Sequence, residues 1–375
     1  MSIQLFVPSF RIDECLKGIR ECLEKGWTGL GFKTVEFEEA WKKYTGLSHA
    51  HFLSSNSVGL HLALHILKTR FGWSDDDEVI TTPLTFVSTN HAILHSRLRP
   101  VFADVDDFLC LDPSSVAARI TPRTRAVMFA GLGGNTGQYE KIVDLCRQRG
   151  LKLILDAAHM AGTRVAGRQV GPEPDAVVFS FQAVKNLPTA DSGMICFKDP
   201  EDDERARKLT WLGINKDTYS RTASQGAYKW MYDVEELGFK YHGNSIMAAI
   251  GLVQIKWLDQ DNSYRRQIAA WYRARLDGHH TVGMVEIAHG CESATHLFQV
   301  LVNSRDAVML ALNEHQIYPG VHYRDNTEYS MYSYAAGTCP NAARASSRVI
   351  SLPIHMNLSG DDVNMVSDIL LRYAK

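Results

Sequence analysis

The sequence predicts an α/β protein built on a mainly parallel sheet, with a smaller domain towards its C-terminal end. Between about residues 49 and 197, short apolar runs of strand length alternate with amphipathic helical segments. This alternation is typical of a parallel sheet with helices on both faces. Beyond about residue 260 the pattern changes to shorter strand and helix pieces. We therefore predict a large α/β domain over residues 1–255 and a smaller α+β domain over residues 256–375, since 375 residues can fill two cores.

Two amphipathic helices precede the predicted sheet, over residues 11–26 and around Val35–Tyr44. His49–Leu53 is predicted as a short strand, and a polar turn containing Asn56 and Ser57 leads from it into the next helix. Ser and Asn at a helix start normally cap the helix, and capping is the more common role. They also hold phosphate, because the free N–H groups and the helix dipole attract an anion. Both interpretations of this turn stay open.

Five further strands are predicted in the alternating part of the chain. They cover Glu78–Thr82, Arg99–Val105, Arg125–Ala130, Leu151–Leu155 and Ala176–Phe179. In sheets of this kind ligands gather at the C-terminal ends of the strands. The loops at such ends contain Ser57, Phe86, Asp156 and Lys185. We predict that the ligand-binding site lies at this edge.

The chain after the predicted sheet contains a polar stretch and two clear helix signals. Residues 201–243 are charged and aromatic with few long apolar runs, which indicates a segment on the surface. Asn244 is predicted to cap a long helix. Ser359–Asp362 resembles a capping box, and an amphipathic helix is predicted after it.

Lys185 is the residue with the clearest chemical potential. It lies between Val184 and Leu187 in a loop that joins two apolar runs. Apolar neighbours disfavour the charged form of a lysine, so its pKa falls and the free amine becomes a nucleophile. A Schiff-base lysine needs this property. The plain alternative is a surface lysine on a loop, which holds for most lysines.

Residues upstream of Lys185 suit a pyridoxal phosphate site. Asp156, at a strand end, is a candidate to keep the ring nitrogen of the cofactor protonated. Phe86 can stack on the ring, His159 can bond its hydroxyl, and Ser180 can join the Asn56–Ser57 turn in holding phosphate. Each residue has an ordinary alternative, as a helix cap, a core aromatic or a structural polar group. Their order and their placement at strand ends agree with one site.

Composition restricts the class of protein. The net charge of −2 gives no electrostatic basis for binding nucleic acid or an anionic membrane. The seven cysteines are scattered and show no zinc-site spacing, so we expect reduced thiols in a cytoplasmic protein and no bound metal. No apolar run approaches the length that spans a membrane.

The chain resembles the DegT/StrS-type sugar aminotransferases, a fold-type I pyridoxal phosphate family, over most of its length. The most specific matching segments are Thr81–Thr89, Leu155–His159 and Ser180–Thr189. Supporting segments are Gly59–Leu64, Gly238–Tyr241, Met247–Leu252, Gly320–Tyr323 and Leu352–His355. The resemblance implies a large, mainly parallel seven-stranded sheet, pyridoxal 5'-phosphate as cofactor, and a homodimer with shared active sites. It also implies glutamate as amino donor and a nucleotide-linked 3- or 4-keto-6-deoxyhexose as acceptor. The product would be an amino sugar for a surface polysaccharide, such as lipopolysaccharide O-antigen, or for a glycosylated metabolite.

The resemblance also implies roles for particular residues. Lys185 would form the Schiff base, Asp156 would pair with the pyridinium, and His159 would meet the ring hydroxyl. Ser180 and the Asn56–Ser57 turn would hold the phosphate. Lys240 would reach the cofactor phosphate of the partner subunit. The positions expected to contact substrate are His322, Tyr323 and Arg324.

Several positions depart from the usual family pattern. Asn56-Ser57 stands where Gly-Thr is common, Gln182 stands where His is common, and Lys240 replaces a frequent Asn. The residues after Tyr323 lack the usual Pro-x-His. Because this last departure lies where family members meet their substrates, the identity of the sugar stays open.

Three alternatives remain at the level of sequence. Gly131–Gly137 follows a strand and opens a helix, as in a nicotinamide oxidoreductase, but the Gly-x-Gly-x-x-Gly spacing is not met. Related sugar dehydratases carry histidine where this chain keeps Lys185, which favours transamination. A non-enzymatic regulator or scaffold would not need the complete set of cofactor contacts.

Overall fold

The computed structural model describes residues 2–215 and 232–375, and its β-strands are two to seven residues long. They are β1 (Ile3–Gln4), β2 (His51–Leu53), β3 (Glu78–Thr81), β4 (Arg99–Phe102), β5 (Thr124–Ala130), β6 (Lys152–Asp156), β7 (Arg164–Val165), β8 (Arg168–Gln169), β9 (Ala176–Ser180), β10 (Gly193–Phe197), β11 (Gly283–Met284), β12 (Cys291–Glu292), β13 (Phe298–Leu301), β14 (Ile317–Tyr318) and β15 (Val349–Leu352).

The α-helices of the described residues pack around these strands. They are α1 (Ile12–Glu24), α2 (Phe32–Thr45), α3 (Asn56–Phe71), α4 (Val87–His95), α5 (Pro113–Arg119), α6 (Tyr139–Arg149), α7 (Pro200–Thr210), α8 (Ser245–Gln254), α9 (Leu258–Leu276), α10 (Arg305–Glu314), α11 (Pro340–Arg348) and α12 (Gly360–Tyr373). None of the helices in the described ranges is long and apolar enough to cross a membrane.

The central sheet has seven strands in the order β2-β10-β9-β6-β5-β3-β4. Strands β4, β3, β5, β6 and β9 run parallel, while β10 is antiparallel to both of its neighbours. The predicted mainly parallel sheet of an α/β fold is therefore confirmed. In register, Ala130 lies beside Asp156, and Asp156 lies beside Val178, so the ends of three strands meet at one edge.

Alternating side chains of β9 fill the cores on the two faces of this sheet. Val177 and Phe179 pack with residues of α2 and α6 on one face. Ala176 and Val178 pack with residues of α3 and α7 on the other. Burial on both faces explains why the strand reads as a continuous apolar run. At Gly59 of α3 a Cβ atom would lie 2.5 Å from Cγ1 of Val178, so glycine lets α3 approach the sheet closely.

A second core lies in the C-terminal part of the chain. Its three-stranded antiparallel sheet has the order β11-β13-β15, and buried side chains of α9, α10 and α12 pack against it. Strand β1 pairs in parallel with β14, and Ile3 belongs to the same core. The domain division between residues 255 and 256 stays a prediction.

The helix expected after Asn244 is shorter than the apolar pattern indicated. Asn244 caps α8, accepting a hydrogen bond from the Met247 N–H at 2.9 Å, but α8 ends at Gln254 before α9 begins. The capping box before α12 is confirmed, with Ser359 and Asp362 each bonded to the other's backbone N–H. Of the predicted surface segment 201–243, residues 216–231 lie outside the described residues.

Candidate active site

A cavity of about 440 Å³ lies at the sheet edge where β5, β6 and β9 end. Nine of the predicted site residues line it, namely Asn56, Ser57, Phe86, Asp156, His159, Ser180, Lys185, His322 and Tyr323. Lys240 and Arg324 do not line it. The cavity therefore lies at the C-terminal ends of the parallel strands, where the sequence analysis expected a binding site. The residues that line it come from both the N-terminal and the C-terminal parts of the chain.

Asp156 is buried at the end of β6 and is held by uncharged donors. Its Oδ2 accepts a hydrogen bond from the Thr89 hydroxyl at 2.7 Å. Its Oδ1 accepts from Nδ2 of Asn56 and from the Ala158 N–H, both at 3.2 Å. Burial raises the pKa of the Asp156 carboxyl, and these hydrogen bonds together with the Lys185 charge oppose the rise. The carboxylate is therefore fixed in position and costly to keep charged.

Lys185 lies in the loop after β9, where its side chain is only partly exposed. The backbone N–H of Lys185 donates to the Gln182 carbonyl at 2.8 Å. The next residue, Asn186, donates from its side-chain Nδ2 to the Ala294 carbonyl at 2.7 Å. Burial lowers the pKa of Lys185 to about 8, while Asp156 acts in the opposite direction. With a pKa of about 8, roughly one Lys185 side chain in ten carries no proton at pH 7.

His159 is neutral, and its hydrogen bonds indicate which of its two ring nitrogens carries the proton. The Gly133 N–H donates to its Nδ1 at 3.2 Å, and its Nε2 lies 3.2 Å from the Tyr323 hydroxyl. Burial and the Lys185 charge hold the pKa of His159 well below its usual range. Because Nδ1 is an acceptor, the single proton lies on Nε2 and points at the Tyr323 oxygen.

The N-terminus of α3 forms the wall that suits a phosphate. Ser55 is the cap of this helix, and its Oγ accepts a hydrogen bond from the Val58 N–H at 3.3 Å. Ser57 and Ser180 line the cavity beside this terminus. The side chain of Asn56 turns to Asp156, so any contribution of this residue to a phosphate comes from its backbone. Gly193 packs directly against this helix terminus. A Cβ atom at this position would lie only 2.7 Å from the backbone nitrogen of Asn56, so glycine permits the close approach.

Aromatic and histidine side chains form the rest of the wall. Phe86 precedes α4 and is 58% exposed, with its ring centroid 6.0 Å from that of Tyr323. His322 Nδ1 lies 2.9 Å from the Ser351 hydroxyl, and burial with the Lys185 charge lowers the pKa of His322 to about 4. Both histidines that line the cavity are therefore neutral near pH 7.

Two predicted residues lie away from the cavity of their own chain. Arg324 is exposed and donates from Nε to Glu328 at 2.7 Å, with its guanidinium 5.0 Å from the Tyr329 ring centroid. Lys240 is exposed, and its Nζ lies 3.1 Å from the ring centroid of Trp211. The roles assigned to both residues stay predictions.

The sequence interpretation missed three contributors to this site. Thr89 holds Asp156, and its place three residues after Phe86, in the first turn of α4, was a usable signal. The N–H of Gly133 fixes the tautomer of His159. The His296 ring is buried with its centroid 4.3 Å from that of His159, and no local pattern pointed to it.

The residues fit pyridoxal phosphate. A carboxylate, a lysine of lowered pKa and an aromatic wall line one cavity with hydroxyl groups at a helix N-terminus.

The glycines of the imperfect dinucleotide pattern have other roles. Gly133 bonds His159, and a Cβ at Gly131 would lie 2.0 Å from the Met160 sulfur. Within residues 2–215 and 232–375, no group of three or more His, Cys, Asp or Glu side chains is placed to hold a metal ion.

Comparison with known proteins decides the family. The sequence profile of the DegT/DnrJ/EryC1/StrS aminotransferase family matches residues 11–371. The chain belongs to this family. This aminotransferase is 34% identical over 367 residues to the spore coat polysaccharide biosynthesis protein SpsC of Bacillus subtilis, covering 94% of this chain and 92% of SpsC.

Solved structures of aminotransferases have the same fold. The aminotransferase TlmJ of Streptoalloteichus hindustanus superposes with a TM-score of 0.91 at 32% identity, covering 99% of this chain and 98% of TlmJ. The sugar aminotransferase CalS13 of Micromonospora echinospora superposes with a TM-score of 0.90 at 29% identity, covering 99% of each chain. The predicted fold-type I class is confirmed, as are the enzyme class of sugar aminotransferase and the dependence on pyridoxal phosphate.

Proposed function

We propose that this aminotransferase moves an amino group from glutamate to a nucleotide-linked keto-sugar, a 3- or 4-keto-6-deoxyhexose, in the biosynthesis of an amino sugar. The observation that carries the proposal is the pairing of Lys185 and Asp156 in one cavity. Lys185 has a pKa lowered to about 8, and Asp156 is a buried carboxylate held by three uncharged donors. A nucleophilic amine and a fixed carboxylate are the two groups that pyridoxal phosphate chemistry requires from the protein.

Bound pyridoxal phosphate supplies a ring that withdraws the electron pair released when a C–H bond of the substrate is broken. Lys185 would hold the cofactor, and its neutral amine would take up a proton at Nζ and move it between the substrate carbon and the cofactor carbon, from glutamate in the first half-reaction and towards the sugar in the second. A pKa of about 8 suits both proton transfers near neutral pH. Asp156 keeps a proton on the ring nitrogen, because a buried carboxylate favours a positive charge next to it.

The other cavity residues position the reactants. Ser57 and Ser180 offer hydroxyl donors to the cofactor phosphate, and Phe86 shields one side of the ring from water. His159 donates from Nε2 either to Tyr323 or to the ring hydroxyl. His322 and Tyr323 face the space left for the sugar.

The names of two related proteins support a sugar as the acceptor. SpsC is named for the biosynthesis of spore coat polysaccharide, and CalS13 is named a sugar aminotransferase. Arg324, expected to contact the substrate, lies outside the cavity of its own chain and donates from Nε to Glu328. The proposal that the sugar is nucleotide-linked therefore rests on the family resemblance.

We also propose a homodimer in which Lys240 of one subunit contacts the cofactor phosphate of the other. Lys240 is exposed and lies outside the cavity of its own chain, which a role across an interface requires. A cytoplasmic reaction agrees with the seven free cysteines.

The test is a two-step transamination assay. Purified protein with pyridoxal phosphate is mixed with ¹⁵N-labelled glutamate, and the excess donor is removed. Nucleotide-linked 3-keto and 4-keto sugars, the same sugars without the nucleotide, and pyruvate are then added separately. We expect ¹⁵N to appear in a nucleotide-linked amino sugar and Lys185→Ala to abolish the transfer.

The panel separates this proposal from its alternatives. Loss of water from a keto-sugar without transfer of ¹⁵N would indicate a dehydratase. Transfer confined to unlinked sugars or to pyruvate would contradict the proposed substrate while leaving aminotransferase chemistry in place.

A further inference from the structure

Both side-chain N–H donors of Asn56 are used inside the protein. Asn56 is buried, and its Nδ2 donates to Oδ1 of Asp156 at 3.2 Å and to the Val178 carbonyl at 3.0 Å. An amide group has two N–H donors, so these two acceptors use both. The side chain therefore has no donor left for a phosphate at the N-terminus of α3.

The backbone around Asn56 fixes its direction. Ser55 is the cap of α3, so Asn56 is the first helical residue and its side chain leaves the helix towards β9. The Val178 carbonyl holds the amide group on the sheet side, beside the last residue of β6. Asn56 and Asp156 meet at this point although they are 100 positions apart in sequence.

The ionised form of the Asp156 carboxyl is stabilised by uncharged hydrogen-bond donors such as the Asn56 amide. Among the described residues it forms no ion pair, since no lysine or arginine nitrogen lies within 4.0 Å of its carboxylate. The titratable groups around it are Lys185, whose charge favours the carboxylate, Tyr323, whose pKa is raised by burial and by Asp156, and neutral His159. Three hydrogen bonds from Asn56, Thr89 and Ala158 offset part of the cost of burial, and the pKa of Asp156 stays raised.

We propose that Asn56 is a positioning residue that keeps the Asp156 carboxylate charged and oriented towards the ring nitrogen of the cofactor. This inference rests on the proposed function, because the role of Asp156 rests on it. Asn56 acts through Asp156 and touches neither substrate nor phosphate with its side chain. Glycine is the common residue at this position in the family that the sequence resembles, so we expect a shift in the properties of Asp156 and not a complete loss of activity.

The test compares two substitutions that remove the donor with one remote control. Asn56→Ala removes the carboxamide and leaves space for water, whereas Asn56→Leu removes it and fills the volume. Gln254→Ala removes a buried carboxamide that bonds the Ser9 carbonyl, far from the site. The titration of Asp156 is followed in the cofactor-free protein by ¹³C NMR of aspartate-labelled samples and assigned with Asp156→Asn.

We expect both Asn56 variants to raise the titration midpoint of Asp156 by about one pH unit, since a hydrogen bond to a charged group is lost. Gln254→Ala should leave the midpoint unchanged. In protein loaded with ¹⁵N-labelled pyridoxal phosphate, the ring-nitrogen resonance of the Asn56 variants should move towards that of the unprotonated ring, because a more basic carboxylate draws the shared proton.

The two readouts distinguish failure of this inference from failure of the proposed function. An unchanged Asp156 midpoint in either folded Asn56 variant overturns the inference, whatever the cofactor does. Weaker cofactor retention with an unchanged ring-nitrogen resonance would assign Asn56 to the phosphate and also overturn it. If the wild-type protein binds no pyridoxal phosphate at Lys185, the proposed function fails while the cofactor-free titration still decides the effect of Asn56 on Asp156. Should one Asn56 variant not fold, the other decides.

Discussion

Nε2 of His159 lies 3.2 Å from the hydroxyl of Tyr323. This contact connects the loop after β6 to the C-terminal part of the chain. The Gly133 N–H occupies Nδ1 of the same ring, so the proton on Nε2 is donated to the tyrosine oxygen. The hydroxyl proton of Tyr323 is then free to point into the cavity. Burial and Asp156 raise the pKa of Tyr323, so it stays a neutral donor at all pH values in ordinary use.

Tyr323→Phe should therefore affect both stability and activity. It leaves the buried Nε2–H of His159 without a partner, at a cost of about 1–2 kcal/mol in the free energy of unfolding. If Tyr323 contacts the sugar, turnover should also fall roughly tenfold to a hundredfold. Urea denaturation and the amino-transfer assay measure the two effects. Tyr318→Phe, at an exposed tyrosine of β14, is the matched control and should change neither.

Lys185 should destabilise the cofactor-free protein at neutral pH. Its pKa is lowered to about 8 in the folded protein, against about 10.4 for a free lysine, so the unfolded chain binds more protons between these values. Unfolding free energy should then rise as the pH increases from about 8 to 10. Below pH 8 the charged lysine is disfavoured by about 2–3 kcal/mol.

Lys185→Met removes this penalty. At pH 7 the cofactor-free variant should be more stable than the wild-type protein by about 2 kcal/mol, and the difference should shrink towards pH 10. Lys17→Met, at an exposed lysine of α1, should show no such dependence. A stability difference for Lys185→Met that does not vary with pH would show that packing, and not charge, causes it.

The parts of this site that could be predicted from sequence follow from local pattern and strand direction. Asp156 and Lys185 come directly after buried apolar runs, and parallel strands bring such positions to one edge. Phe86, which follows β3 and directly precedes α4, was found by the same reasoning.

Other parts depend on contacts that no local pattern contains. His296 reaches the site from a loop before β13, where its Nδ1 bonds Asn186, 110 positions earlier. Asn56 was expected in a phosphate turn, but helix register makes Ser55 the cap and turns Asn56 to a distant carboxylate. The helix predicted after Asn244 ended early, because apolar spacing does not encode the break between α8 and α9.

Substitution by alanine should affect mainly stability at Phe179 and mainly cofactor retention at Phe86. Phe179 is fully buried in β9 with its ring centroid 4.9 Å from that of Trp41, whereas Phe86 is 58% exposed at the cavity. Phe179→Ala should lower the free energy of unfolding by about 3–5 kcal/mol. Phe86→Ala should lower it by less than about 1 kcal/mol but weaken the retention of pyridoxal phosphate. Denaturation and cofactor dialysis measure the two effects, and equal retention in Phe86→Ala would remove its role in the site.

Asp156→Asn tests the carboxylate without changing its shape. The amide keeps a hydrogen-bond acceptor for Thr89 but carries no charge to hold a proton on the ring nitrogen. We expect cofactor to remain bound and the half-reaction with glutamate to slow by roughly a hundredfold or more. Stopped-flow absorbance measures this rate, and normal turnover would show that the charge of Asp156 has no part in the reaction.

Lys240 provides the test of a shared active site. Its Nζ lies 3.1 Å from the Trp211 ring centroid, and partial desolvation lowers the pKa of this otherwise exposed lysine outside the cavity of its own chain. A phosphate dianion gains from such a cation, so Lys240→Ala should weaken cofactor retention and leave the fold intact. Lys240→Arg keeps the charge and should retain more cofactor than the alanine variant.

Mixed dimers then decide whether Lys240 acts across the interface. A dimer of one Lys240→Ala chain and one Lys185→Ala chain contains one site with both lysines, although each parent variant contains none. If subunits pair at random, half of the dimers are mixed and have one of two sites intact, which should add about a quarter of the wild-type activity to what the parent variants retain. Mixing Lys240→Ala with a chain carrying both substitutions should restore nothing. No recovery in verified mixed dimers, or an active monomer, would show that each site is built within one chain.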